Sequence, residues 1–271
     1  MKPSRLIGTF GILLSIGVGA HSSAHAGAWP MPENRLLVIA PFTATKADEA
    51  YNARGKAQPH NAYRKKELAP YLEYGLTKSL TLVSSLAFTS DETNYFGTKF
   101  IQRSISRIET GGRLDLGEWR DARYALQALA IFHGSTTGDD PFSSRRGDVD
   151  GELGLCTGQN FTFWGLKGFS DTYSAYRFHP AGRPGEIKLD VTIGFRPLAQ
   201  TMLLVKNESF ASIGRTGNDS GIQRVAATKL GLSVVQEIEP PVSLELGYMQ
   251  TVAGQNIVRE RALTLALWYR F

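Results

Sequence analysis

The stretch Arg261-Ala262-Leu263-Thr264-Leu265-Ala266-Leu267-Trp268-Tyr269-Arg270-Phe271 closes the chain on a strict two-residue alternation. Successive side chains of a β-strand point to opposite faces. Leu263, Leu265, Leu267, Tyr269 and Phe271 therefore share one apolar face, and the chain ends on an aromatic ring. The same period recurs upstream. Ile187, Leu189, Val191, Ile193 and Phe195 alternate with Lys188, Asp190, Thr192, Gly194 and Arg196, and Val242, Leu244, Leu246 and Tyr248 alternate with Ser243, Glu245 and Gly247. A helix needs apolar residues three and four apart, which these segments lack.

Marking every such segment predicts twelve strands, at about 33–43, 64–76, 80–90, 103–118, 122–133, 148–157, 161–178, 186–196, 199–211, 222–237, 242–251 and 258–271. The connections alternate in length. Ala44–Tyr63, Asp91–Gln102, Gly134–Gly147, Pro180–Gly185, Ile213–Gly221 and Val252–Asn256 are the outer loops. Thr77-Lys78-Ser79, Trp119-Arg120-Asp121, Thr157-Gly158-Gln159-Asn160, Pro197-Leu198 and Glu239-Pro240-Pro241 are the inner turns. This is the loop asymmetry of an up-and-down transmembrane barrel with both termini on one side. Aromatics fall at both sets of strand ends, Tyr74, Trp119, Phe161, Trp164, Phe195, Trp268 and Phe271 at the inner rim, and Phe42, Phe88, Phe132, Tyr173, Tyr176, Phe178, Phe210 and Tyr248 at the outer. Such girdles mark the two water–lipid boundaries.

The start of the chain points to export. Lys2 and Arg5 precede the apolar run Leu6–Ala20, and Ala24-His25-Ala26 is a small-x-small cleavage pattern. Residues 1–26 are read as a signal peptide and 27–271 as one barrel domain. Removing the two bases of the signal, which has no acids, lowers the formal charge from +5 to +3. That thin excess carries no clustered basic face, so no nucleic-acid partner is expected. A single cysteine, Cys156, leaves an internal disulfide impossible.

In hydrocarbon every backbone N–H and C=O needs a protein partner, so a spanning sheet must close on itself, apolar outside and polar inside. A soluble sandwich would reverse those faces; the signal, the loop asymmetry, the girdles and the last strand separate the two. The fold expected is thus all-β, a twelve-stranded antiparallel transmembrane barrel in the bacterial outer membrane, reached after signal-peptide export. The terminal strand resembles those of outer-membrane barrels, which implies that Leu267, Tyr269 and Phe271 mark the chain for the barrel-assembly machinery. Gly27-Ala28-Trp29-Pro30, the hairpin Leu72–Leu82, Leu189–Pro197, Ser243–Tyr248 and the ending Leu267-Trp268-Tyr269-Arg270-Phe271 resemble a family of proteobacterial outer-membrane barrels. Some of its members are encoded beside exopolysaccharide or adhesin genes. The resemblance implies export-system components as partners and brings no activity or catalytic residues with it.

The face opposite the apolar one collects charge. The lumen-lining candidates are Glu73, Arg113, Asp115, Asp150, Glu152, Lys188, Asp190, Arg196, Lys229 and Glu245. Two readings of them stand side by side: a charge network that fills and closes the barrel, or a narrow water-filled path. Acids slightly outnumber bases on this face, so a conducting path would favour cations. Enzymatic chemistry is not expected. His133-Gly134-Ser135 has a spacing that resembles lipid A 3-O-deacylases, but such three-residue patterns arise by chance and no well-placed glutamate follows. His60, His133 and His179 read as isolated, Cys156 has no ligand at usable spacing, and neither metal nor cofactor is expected. Arg145-Arg146 and the pairs Asp48-Glu49 and Asp139-Asp140 read as solvated loop charges that can meet lipopolysaccharide. Lipid and lipopolysaccharide are the expected surroundings.

Overall fold

Period-2 side chains and tight turns give, among the described residues, fourteen strands in sequence order: β1 Leu36–Tyr51, β2 Ala57–Leu68, β3 Tyr71–Gly75, β4 Leu80–Tyr95, β5 Thr98–Trp119, β6 Ala122–His133, β7 Val149–Phe163, β8 Leu166–Phe178, β9 Gly185–Leu198, β10 Thr201–Ile213, β11 Ala226–Glu239, β12 Val242–Gln255, β13 Ile257–Val258 and β14 Arg261–Arg270. The structure, a computed structural model, describes residues 27–95, 98–134, 149–180, 184–213 and 224–271. Both β2–β3 and β13–β14 are single crossings interrupted by two residues, Ala69-Pro70 and Arg259-Glu260. The sheet therefore crosses twelve times, as the alternation predicts.

Every neighbour is antiparallel, and the sheet closes where β1 meets β14, from Leu37 opposite Arg270 to Lys46 opposite Arg261. Closure leaves no edge strand, which hydrocarbon requires. The apolar face points out: Leu189, Leu246, Leu263, Leu265 and Leu267 are exposed, Leu246 to 61%. Their neighbours Glu245, Ala266 and Trp268 are buried inside. A soluble sandwich would show the reverse. Phe271 N–H donates to the carbonyl of Leu36 at 2.8 Å, so the first strand and the chain end share a rim.

The lengths differ from expectation most in three places, and the expected outer loop Val252–Asn256 also shrinks, to the single residue Asn256 between β12 and β13. β1 and β2 continue to Tyr51 and from Ala57, so the expected loop 44–63 shrinks to a short connection. β4 and β5 likewise run to Tyr95 and from Thr98. A crossing needs about 9–11 residues, whereas β5 has 22. These hairpins project past the lipid, where a strand wets both faces and the alternation that betrays it fades. The third difference is the inner turn expected at Thr157–Asn160. There β7 continues to Phe163, and the chain reverses at Trp164-Gly165, both with positive φ (49° and 78°). That is the conformation a two-residue hairpin favours, and glycine adopts it freely. Trp164, 90% exposed, stacks on Phe163 at 4.8 Å and anchors the rim.

Residues 27–35 are not strand. They turn into the barrel at the short-turn rim, held by Asn34 N–H on the Gly75 carbonyl (2.8 Å) and Met31 N–H on Thr81 Oγ1 (2.9 Å). Ala28 is fully buried and Met31 nearly so. The first strand was expected from Glu33; it begins at Leu36.

Candidate functional site

The lumen gathers polar chemistry from most of the strands. A central cavity of about 610 Å³ is bordered by eight carboxylates and six bases among the described residues. Its size is that of a small-molecule site. Of the ten lumen-lining candidates, Arg113, Glu152, Lys188, Asp190, Lys229 and Glu245 border it. Each sits on the inward parity of its strand.

The charges occur as local sets. Lys206 Nζ donates to Glu245 Oε1 at 2.5 Å, while Trp268 Nε1–H donates to Glu245 Oε2 at 3.1 Å. Arg177 Nε and the Tyr173 hydroxyl both donate to Glu152 at 2.8 Å, and Lys188 Nζ lies 3.8 Å from Glu152 and 3.6 Å from Asp190. Lys229 Nζ donates to Glu260 Oε2 at 2.6 Å. Removed from bulk water, such groups are stable only when paired and hydrogen-bonded. Lys188, Lys206 and Lys229 keep about a quarter of their side chains exposed, so they can still meet a passing ion.

The other four candidates face inward without bordering the cavity. Glu73 is fully buried: Arg113 Nη2 meets its Oε1 at 2.8 Å, and the Tyr71 hydroxyl donates to the same oxygen at 2.5 Å. Asp115 accepts two hydrogen bonds from Arg123, at 2.9 and 2.6 Å, near the short-turn rim. Arg196 lies at the same end of β9, opposite Lys167. Asp150 sits at the opposite end. His133 Nε2 approaches its Oδ2 at 2.6 Å and His179 Nδ1 at 2.9 Å, with Glu186 3.4 Å beyond. The two histidines that read as isolated thus converge on one buried carboxylate, because β6, β7 and β8 are adjacent strands. Among the described residues no group of three or more His, Cys, Asp or Glu can hold a metal ion. Ser135, Asp139-Asp140 and Arg145-Arg146 lie outside the described residues. Asp48 and Glu49 face Arg259 and Arg261, with Arg259 Nη1 2.7 Å from Glu49.

Three expected girdle residues have inward parity instead: Trp268 and Tyr173 bond to lumen carboxylates, and Phe210 pairs with the inward Lys188. Trp268 belongs to an apolar interior cluster with Phe169, Met202, Leu204, Val235 and Ala266, against which Trp29 packs. Ala28 packs with Ala125 and Cys156 in a second. The short-turn end of the lumen is therefore a greasy seat for residues 28–31. At that seat lies Asp171, 7% exposed, absent from the candidates. The outward partners of its strand are Ser170, Thr172 and Ser174, too polar to reveal which face is the lumen. Leu267 and Phe271 are exposed on the outer face, with Tyr269 between them in parity.

This is the architecture of an outer-membrane barrel. An outer-membrane channel from Pseudomonas putida F1 is similar, with a TM-score of 0.70 at 11% identity, covering 92% of this chain and 100% of the other. The translocator domain of the autotransporter NalP from Neisseria meningitidis gives 0.52 at 15% identity, over 87% and 88%. The NanC porin gives 0.50 at 6%, over 86% and 98%. At such identities the likeness is one of fold. No protein-family model matches the chain, and no curated protein does.

Proposed function

We propose that the chain is exported, cut after Ala26 and inserted in the bacterial outer membrane as a passive channel for small solutes, with no catalytic step. The observation that carries this reading is the charged central cavity, whose eight carboxylates outnumber its six bases. A narrow low-dielectric passage concentrates the counter-ion of its excess charge, so cations pass in preference to anions. The channel and porin named among the fold neighbours support the same reading. Purified protein in a planar bilayer under a salt gradient tests it: small cation-selective conductance is expected, and anion selectivity or silence would overturn it.

A second reading has its own support. The apolar seat filled by Ala28, Trp29 and Met31 narrows one end of the lumen, which favours a barrel closed by its interior that serves surface interaction. Silence in the bilayer, unchanged on Trp29→Ala, would select it. The resemblance of the strand motifs to barrels encoded beside exopolysaccharide genes supports an accessory role in polysaccharide export. Polymer secreted by a deletion strain measures that role, and an undiminished yield would remove it.

A further inference from the structure

Asp171 is placed where a carboxylate needs a cation. Its side chain is buried on β8, it accepts backbone hydrogen bonds from Ala28 and Thr172, and its Oδ1 has no hydrogen-bond partner. A buried charge of this kind is stable only when neutralised. Arg113 acts on Asp171 electrostatically, but its ion pair at 2.8 Å is to Glu73. Gly27 lies beside Asp171: it borders the central cavity and is so close that a Cβ there would collide with the Asp171 carboxylate. With N–Cα about 1.5 Å, the Gly27 nitrogen lies within roughly 5 Å of that carboxylate.

In a chain that continues upstream, this nitrogen is a neutral amide with one hydrogen. In a chain cut after Ala26, it is an α-ammonium with three. We infer that signal cleavage supplies the missing cation: the Gly27 ammonium pairs with Asp171 inside the lumen and fastens residues 27–31 in their apolar seat. Cleavage hydrolyses the Ala26–Gly27 amide: the hydroxyl of water goes to the Ala26 carbonyl carbon and its other proton to the Gly27 nitrogen, and the new carboxylic acid passes its proton to the amine, leaving a carboxylate and an ammonium. The mature barrel is thus narrowed by its own processed end, and only the processed chain carries the lock. The inference rests on the export reading above and not on conduction.

The test uses mature protein extracted from outer membranes, its folded state checked by heat-shifted gel mobility. Mass spectrometry of the terminal peptide should begin at Gly27; another start overturns the inference. An amine-acylating reagent then reads the terminal amine, expected to react about ten-fold more slowly in the folded barrel than in the heat-unfolded chain, as a buried, paired group does. Asp171→Asn removes the anion, and Gly27→Ala forces the carboxylate aside; each should restore fast acylation in a barrel that still shifts on heating. Should either fold poorly, the other makes the comparison. If the wild-type amine acylates as fast folded as unfolded, or stays protected in the folded variants, the pairing is wrong. A silent bilayer would sink the channel proposal and leave this result standing.

Discussion

The two ends of the lumen are built on different physics. At the short-turn end, Trp29 and Ala28 fill an apolar seat of Phe169, Leu204, Val235 and Ala125, and the charges among them, Glu73 with Arg113, are almost wholly buried. Toward the other end, Asp150 gathers His133 and His179, and the strands beyond carry pairs such as Glu49–Arg259 in contact with water. The cavity lies between. A greasy end holds a plug by exclusion of water, whereas the opposite, ionic end holds its charges as buried sets and, at the rim, as ion pairs in water. The difference teaches that the inside of such a barrel is not one polar face but a gradient.

Substitutions at the two ends should break this comparison unequally. Arg113→Ala leaves Glu73 buried without its cation, and the barrel should lose about 3–5 kcal/mol in urea unfolding from detergent, as broken buried pairs do. A loss below about 1 kcal/mol would mean that water reaches the short-turn end. Asp150→Ala strips both histidines of their acceptor and should cost about 2 kcal/mol. Since Asp150 does not border the cavity, ion selectivity in the bilayer should stay unchanged; a shifted reversal potential would place the ionic end on the conducting path. Trp29→Ala empties part of the apolar seat, with a stability loss of about 1–2 kcal/mol because the ring is only partly buried. Its larger mark should be a rise in single-channel conductance. The smallest effect belongs to the wet rim: Glu49→Gln should cost under about 1 kcal/mol and nothing at high salt, read from melting curves at two ionic strengths.

Much of the architecture is legible in the alternation, because a membrane imposes it. Wherever lipid touches the sheet, as at Leu189, Leu246 and Leu265, every second residue has to be apolar, and that demand writes itself into the sequence. Where lipid is absent the record fails. Residues 57–63 of β2 and 98–102 of β5 lie beyond the expected crossings and read as loops, and Thr157–Asn160 looks like a turn by composition although the pairing of β7 with β8 runs through it. The lumen candidates follow from parity alone, so Lys188, Asp190 and Glu245 were within reach. Asp171 was not, since Ser170, Thr172 and Ser174 supply no apolar outer face. The insertion of Trp29 was likewise hidden: a Trp-Pro near a chain start carries no period, and only the shape of the interior says where the ring goes. His133 and His179, 46 positions apart by number, meet on Asp150 through strand adjacency.

The inside-out geometry is tested most directly at two adjacent residues, Thr264 and Leu265, whose side chains leave β14 on opposite faces, Leu265 exposed outward to 56% and Thr264 on the cavity wall. Single cysteines at the two positions, in a Cys156→Ala background reconstituted in vesicles, read the surroundings of each. A fluorophore at 265 should be quenched by brominated lipid, while 264 should react with a small water-soluble thiol reagent. Lipid quenching at 264, or free aqueous reaction at 265, would contradict the account.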